Sequence, residues 1–305
     1  MINNRYVPEG TLINTAENLE ALSSVNSLER AMLDGRILEG RVVLCTSENT
    51  LYVDLICCRG YITREEAGWT EDGTLLRDIA IITRVGKAVA FKILDFETDV
   101  DGKPLAVLSR RLAQEECVLE FHNMLEKGDV IDARITHFEP FGAFCDIGCG
   151  IVSLLSIDSI SVSRISHPED RFSLGQRIKA VVKGRDERLE IKNNISRGRI
   201  ALSHKELLGT WEENARLFEI GQTVAGIVRS IESYGIFIEL APNLAGLAEW
   251  KAGVQVGQTA SVYIKNILPQ KKKVKLVLVD TYTAEKRTTP VNYYIEEGNV
   301  ADWIY

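Results

Sequence analysis

The segment HFEPFGAFCDIGCG, residues 137–150, holds the first side chains that could do chemistry. Ala143, Cys145 and Ile147 alternate as the inward side chains of a β-strand. Phe144 then falls on the outward face, in line with Gly142 and Asp146, and Phe141 stands at the strand's start. An outward aromatic offers a flat π-face for another planar ring, and Gly142 would leave the backbone open beside it. On the preceding run Ile131, Ala133 and Ile135 take the inward places, so Arg134 faces out and could hold an anion near the rings. A second segment, SYGIFIEL, presents Tyr234 and Phe237 outward with Ile236, Ile238 and Leu240 inward, and Arg229 lies on the strand before it. The run QKKKVK adds Lys271, Lys272, Lys273 and Lys275 at a hairpin tip. A bare charge run is usually a solvated turn, but beside two outward aromatics it becomes a candidate phosphate clamp. Planar rings flanked by cations suit single-stranded nucleic acid, whose unpaired bases stack and whose phosphates meet basic groups.

Other chemistry is weakly represented. The four histidines (His122, His137, His167, His204) are scattered and read as surface or loop residues; no Ser-His-Asp order or phosphate-cradling glycine loop is visible. The six cysteines show no framework spacing, and Cys145 and Cys149 have no second pair to complete a metal site. They read as buried thiols in a reducing cytoplasm. The expectation is therefore a protein that is not an enzyme, with no cofactor and no metal. No apolar run reaches the ~20 residues a membrane helix needs, and the start MINNRYVPEG lacks a signal-peptide stretch.

Net charge over the 305 residues is −7, which by itself disfavours a polyanion partner. Its distribution matters more. Residues 1–127 hold 14 basic and 21 acidic side chains, residues 128–210 hold 12 and 11, and residues 211–305 hold 10 and 11. The acidity lies in the first third, and a local basic face stays possible elsewhere.

Positioning these residues requires strands, and the strands repeat. GRILEGRVVL at Gly35, GDVIDARITH at Gly128 and GQTVAGIVRS at Gly221 line up at a constant spacing of 93 residues. Each is followed by a second strand-like run (TLYVDL, GAFCDI, GIFIEL), a glycine-led run (VGKAVAFKI, LGQRIKAVV, VGQTASVYI) and a short closing strand (LAVLS, RIALS, VKLVL). Five short strands per unit read as a small Greek-key barrel, so the fold class is all-β domains with helical connectors: three tandem five-stranded barrels. The expected organisation is an N-terminal arm over 1–34, barrels over 35–112, 128–204 and 221–280, helical linkers over 113–127 and 205–220, and a tail over 281–305. The arm contains NSLERAML, a short helix with Asn26 or Ser27 as cap, and Gly209 predicts a bend or restart in the second linker. Tyr293, Tyr294, Trp303 and Tyr305 in the tail are expected to dock on the last barrel.

GDVIDARITHFEPFGAFCDIG, SHPEDRFSLGQRIKAVV and RGRIALSHKELLGTWEEN together resemble the S-one RNA-binding domain. The resemblance is close over 128–214, good in outline over 221–280 and degenerate over 35–112. It implies barrels of the oligonucleotide-binding type that bind single-stranded RNA. Three in tandem resemble the short ribosomal-protein-S-one-like proteins of Gram-positive bacteria. In the middle unit the resemblance places the RNA face at Phe141, Phe144, Ser156, Asp186 and Arg199. Ser156 stands where the family has a histidine. The loop from Glu187 to Gly198 is longer than usual and carries Arg188, Lys192 and Arg197. In the third unit the corresponding positions after the aromatics are Glu249, Leu268 and Lys273.

The first unit departs most. Tyr52 keeps the outward aromatic place, Asn49 replaces the leading one, and Glu65, Glu66, Glu71 and Asp72 crowd the middle. A polyanion would be repelled there, so docking on a protein fits better. The resemblance, carried by RGYITREE, implies attachment of this barrel to the small ribosomal subunit. The leading reading is a cytoplasmic, monomeric RNA-binding protein of the translation apparatus that helps mRNA engage that subunit. The other is a protein-interaction scaffold whose barrels have lost most RNA affinity.

Overall fold

A computed structural model describes residues 5–185, 198–283 and 291–305. The arm carries two helices, α1 (Ala16–Leu22) capped by Thr15 and α2 (Val25–Leu33) capped by Ser24. The expected helix at NSLERAML is thus α2, begun two or three residues earlier because the Ser24 hydroxyl takes the Ser27 N–H. The first barrel follows with β1 (Leu38–Cys45), β2 (Leu51–Asp54), β3 (Arg59–Ile62), the short α3 (Asp78–Ile82), β4 (Ala88–Thr98) and β5 (Pro104–Ser109). Helix α4 (Arg110–Glu120) leads to the second barrel, β6 (Val130–Glu139), β7 (Gly142–Asp146), β8 (Val152–Ser156), β9 (Arg177–Arg185) and β10 (Ile200–Ser203). A 3-10 turn at Lys205–Leu208 and α5 (Trp211–Ala215) lead to the third, β11 (Thr223–Glu232), β12 (Gly235–Ala241), β13 (Leu244–Ala248), β14 (Thr259–Leu268) and β15 (Lys273–Tyr282). Gly209, at φ 79°, makes the expected bend between turn and helix.

All three sheets close in one order, with the strands of each unit arranged first-second-third-fifth-fourth and the third and fifth parallel. Closure leaves no unpaired sheet edge and turns alternate side chains into a core. Ile131, Ala133 and Ile135 are buried, as their alternation predicts, with Ala143, Cys145 and Ile147. The first strand of each barrel has a register shift at the same point, Val42/Leu44, Ile135/His137 and Val228/Ser230.

The barrels are tied together by buried polar contacts. The arm threads between the first two: the Glu9 N–H donates to Asp146 Oδ2 at 2.7 Å, and the Glu9 carboxylate takes Arg110 Nε at 2.7 Å and Ala90 N at 3.1 Å. Helix α4 is more than a spacer, because Ala113 and Cys117 enter the middle core with Tyr6 and Phe121. Between the second and third barrels Glu239, which also pairs with Arg229 of its own barrel at 2.7 Å, accepts from Arg171 at 2.6 Å, and Asn243 Oδ1 accepts the Val162 N–H.

The tail does not dock on the last barrel alone. Val130 N–H donates to Gly298 O and Val300 N–H to Gly128 O, forming an isolated antiparallel bridge between Asp129 and Asn299 beside the start of β6. Tyr293 packs on the middle barrel against Val130, Val181 and Leu207, whereas Tyr305 joins the third core and donates to Asn243 O. The first half of the tail thereby satisfies backbone groups of Gly128 and Val130 at the rim of the middle barrel.

Candidate nucleic-acid interface

In the middle barrel Phe141 is 54% exposed at the β6–β7 turn and Phe144 is half-buried on the outward face of β7. Their rings meet edge to face, 6.1 Å apart at 85°. The third barrel repeats this arrangement, with Tyr234 68% exposed and its ring 6.1 Å from Phe237 at 89°. Edge-to-face contact holds each pair in place, and in each the ring at the turn is the more exposed of the two. Gly142 contributes differently from expectation: it is buried, and a Cβ there would come within 2.5 Å of Leu155 O. The glycine lets β8 approach, rather than leaving open backbone.

His137 joins the group. Its ring stacks on Phe144 at 6.2 Å and 25°, and its Nε2 lies 2.9 Å from Glu139 Oε1. By simple alternation His137 should face inward; the bulge after Ile135 turns it outward opposite Phe144, while Thr136 Oγ1 donates to Phe144 O. The signal was present in the sequence, since a histidine at an inward place followed by Phe138 breaks the alternation and marks a bulge.

The expected cations part company. Arg134 is not free beside the rings: its Nη1 donates to Glu9 O and its Nε to Gly175 O at 3.1 Å, so it fastens the arm. Arg229, only 8% exposed, pairs with Glu239 and lies 3.8 Å from Asp170. The register shift in β11 falls at its position, Glu239 on the adjacent β12 captures it, and Asp170 of the second barrel closes over the pair. Both expectations fail for one reason: neighbouring segments cover faces that look exposed when one unit is read alone. Arg199 is exposed at the start of β10, on the same strand face as Ala201. Asp186 and the loop residues Arg188, Lys192 and Arg197 lie outside the described residues.

Ser156 sits on β8 directly opposite Gly142, next to the aromatic pair, with its Oγ 3.0 Å from Ser159 Oγ. Lys183, on the outward face of β9, reaches the same Ser159 hydroxyl at 3.0 Å, placing a cation near the Ser156 position that sequence reading passed over. In the third barrel Lys275 pairs with Leu247, which in turn pairs with Phe237, so lysine and aromatic share one outward row. Lys273 stands two residues earlier on β15 and faces the same way, as Val274 and Leu276 are buried. Lys272 turns elsewhere, with its ammonium 5.4 Å from the Tyr305 ring centre and 3.9 Å from Glu212. Lys271 lies exposed in the 3-10 turn just before them.

The first barrel has a different surface. Tyr52 packs against Tyr61 at 6.4 Å, and the Tyr61 hydroxyl donates to Glu97 at 3.1 Å. Asn49 is buried at φ 63°, a conformation asparagine tolerates, so no second outward ring stands there. Two histidines expected at the surface are interior. His122 is buried with its Nε2 3.3 Å from Ile147 O. His204 is fully buried, its Nδ1 3.0 Å from Ile160 O and its Nε2 3.3 Å from the Tyr293 hydroxyl, and burial pushes its pKa down to about 4. Cys117, Cys145 and Cys149 are buried free thiols, while Cys45, Cys57 and Cys58 are half-buried. Among the described residues no His/Cys/Asp/Glu group could hold a metal ion, and no helix is long and apolar enough to cross a membrane.

The S1 RNA binding domain family matches residues 124–205, which span the second barrel with its stacked aromatics. The second barrel is an S1 domain, and the chain carries its strand order three times in tandem. The chain is 28% identical over 306 aligned positions to the small ribosomal subunit protein bS1 homolog of Bacillus subtilis, covering 97% of this chain and 73% of that one. The bS1 homolog of Bacillus cereus is 30% identical over 226 positions, 71% of this chain and 54% of its own length. The bS1 protein of Staphylococcus aureus is 26% identical over 291 positions, 90% of this chain and 70% of its own. The chain thus spans about half of the Bacillus cereus relative and near three-quarters of the other two. The matched S1 domain is the middle barrel, and the first and third barrels repeat its strand order.

Proposed function

We propose that this chain is a non-catalytic RNA-binding protein of the translation apparatus, working in the cytoplasm to help mRNA engage the small ribosomal subunit. Single-stranded RNA binds on the outward faces of the second and third barrels. One base stacks on the Phe141–Phe144–His137 group and another on Tyr234–Phe237, while Arg199, Lys183, Lys273 and Lys275 meet phosphates. The observation that carries this reading is the repetition of one edge-to-face aromatic pair, at the same place and nearly the same geometry, in two barrels, of which the middle one matches a family named for RNA binding. Each stack would contribute ~1–3 kcal/mol and would tolerate any base. The similarity to bS1 proteins supports a ribosomal partner for the chain as a whole, and the acidic first barrel, which lacks the paired outward rings, is the unit proposed to meet it.

The scaffold reading draws on one specific observation: Arg134 and Arg229 are consumed in ties within the chain, which lowers the cationic charge on both faces. Fluorescence anisotropy with labelled single-stranded and duplex RNA of equal length separates the two. Preferential binding of the single strand supports the RNA reading. No binding of either RNA overturns it and leaves the scaffold.

A further inference from the structure

A cleft of about 930 Å³ opens between the first and second barrels. Its first-barrel wall is the segment after β3, with Trp69, Thr70, Glu71 and Asp72; its second-barrel wall holds Val152 at the start of β8 and Arg199 at the start of β10. Trp69 is half-buried, and its backbone N–H donates to Gln114 Oε1 at 2.8 Å, which fixes the ring's segment to α4. The cationic groups of the cleft are not equivalent. Arg110 and Arg84 are held by the buried Glu9 carboxylate, and Arg185 donates to Leu125 O. Arg199 is exposed and pairs with no acid among the described residues.

The cleft is continuous with the aromatic face. Leu154 pairs with Phe144 across β7 and β8, and Val152 lies two residues earlier on the same strand, a step of about 7 Å. Arg199 is likewise two residues before Ala201, the partner of Leu154 on β10. A strand stacked on Phe144 and running toward the start of β8 therefore arrives at Arg199 and enters the cleft.

We propose that this cleft is a second RNA subsite, in which a base of single-stranded RNA leaving the Phe144 face stacks on Trp69 while its phosphate rests on Arg199. The proposal rests on the RNA reading above and adds that the acidic first barrel shares in the grip. The orientation follows from charge. Glu71 and Asp72 stand on the Trp69 side and repel phosphate, whereas Arg199 on the opposite wall attracts it, so the neutral base faces Trp69. The first barrel alone would still bind RNA negligibly, because the phosphate contact belongs to the second.

The test uses the full chain with oligouridylates from about 4 to about 16 nucleotides, the span of site sizes for such barrels. Trp69→Ala should weaken the longest oligomers about fivefold or more and leave the shortest unchanged, with Trp69→Phe restoring most of the loss. Glu71→Gln should tighten the long oligomers about twofold. Tryptophan emission quenched by a long oligomer in the parent should lose that quenching in Trp69→Phe. Equal affinities of parent and Trp69→Ala at every length, with the parent binding well, overturn the cleft and leave the aromatic face standing. A parent that binds no oligomer overturns both.

Discussion

His137 lies nearly parallel to Phe144, ring centres 6.2 Å apart, on the strand next to it. The pair exists because β6 bulges after Ile135 and carries His137 round to the outward face. Together with the perpendicular Phe141 it makes a three-ring group, rather than the two-ring site that alternation predicts. Replacing Phe141 and Phe144 together with alanine should weaken single-stranded RNA binding by roughly 2–4 kcal/mol, two stacking losses. His137→Ala alone should cost about 1 kcal/mol or more. Anisotropy titrations measure both, and a urea melt should show folding little changed, since Phe141 is mostly exposed. Parental affinity in the double variant would remove the stack from the account.

The lysines of QKKKVK should separate by position. Serine at Lys271, Lys272, Lys273 and Lys275 together should lower affinity for all single-stranded sequences alike. Each lost phosphate contact flattens the dependence of log K on log salt by about 0.7. Lys273 and Lys275 face out along the Phe237 row and should carry most of that change, whereas Lys272 packs over Tyr305 and should carry little. The double phenylalanine variant should leave the slope nearly unchanged, because stacking releases few counterions. A quadruple lysine variant with the parental slope would show a merely solvated turn.

Cutting the chain near residue 120 tests the division of labour. The piece 1–120 should bind RNA negligibly, and the piece 120–305 should keep the stacking on Phe141 and Phe144. That second piece should nonetheless be less stable than the intact chain, because it loses Tyr6, Ala113 and Cys117 from the middle core and the arm hydrogen bonded to Asp146. Burial of a large apolar side chain is worth about 1.5–3 kcal/mol, so the loss should be several kcal/mol. Thermal melts of the two lengths and their affinities provide the comparison. Comparable RNA binding by both pieces would show that the charge asymmetry had misled.

Glu9 offers a sharper test of the same junction. Its carboxylate is buried against Arg110, so Glu9→Ala leaves a buried guanidinium without its partner. The expected cost is about 3–5 kcal/mol, read as a fall in the urea midpoint at unchanged slope. A cost near zero would mean that Arg84 and Arg110 find other partners or water.

His204 makes stability depend on pH. Folded, it stays neutral to about pH 4, whereas unfolded it titrates near its ordinary value of about 6.5. Between those values the unfolded chain binds the extra proton, so the contribution is full above about pH 6.5 and is lost as pH falls to about 4. A shift of this size is worth up to about 3 kcal/mol. His204→Gln should flatten the melting temperature against pH across that window; an unchanged profile would assign the pH dependence to other groups.

The repeat spacing, the five strands per unit and the outward place of Phe144 and Phe237 are properties of the sequence, because a strand's two-residue period sorts each side chain by face wherever one face is buried. The same period fixed the buried set Ile131, Ala133 and Ile135. Tertiary structure decided the rest. A bulge breaks the period, so His137 entered the site against its parity. A face counts as exposed only until another segment covers it, so Arg134 went to the arm, Arg229 and Glu239 were closed over by Arg171 and Asp170 of the second barrel, and His204 went into the interior under Tyr293. Arg134 and Glu9 are 125 positions apart, His204 and Tyr293 are 89 apart, and Arg171, which shares Glu239 with Arg229, is 68 from it; no local pattern encodes such pairings. Local periodicity built the barrels; the packing of arm, barrels and tail against one another chose which outward residues remain available to a ligand.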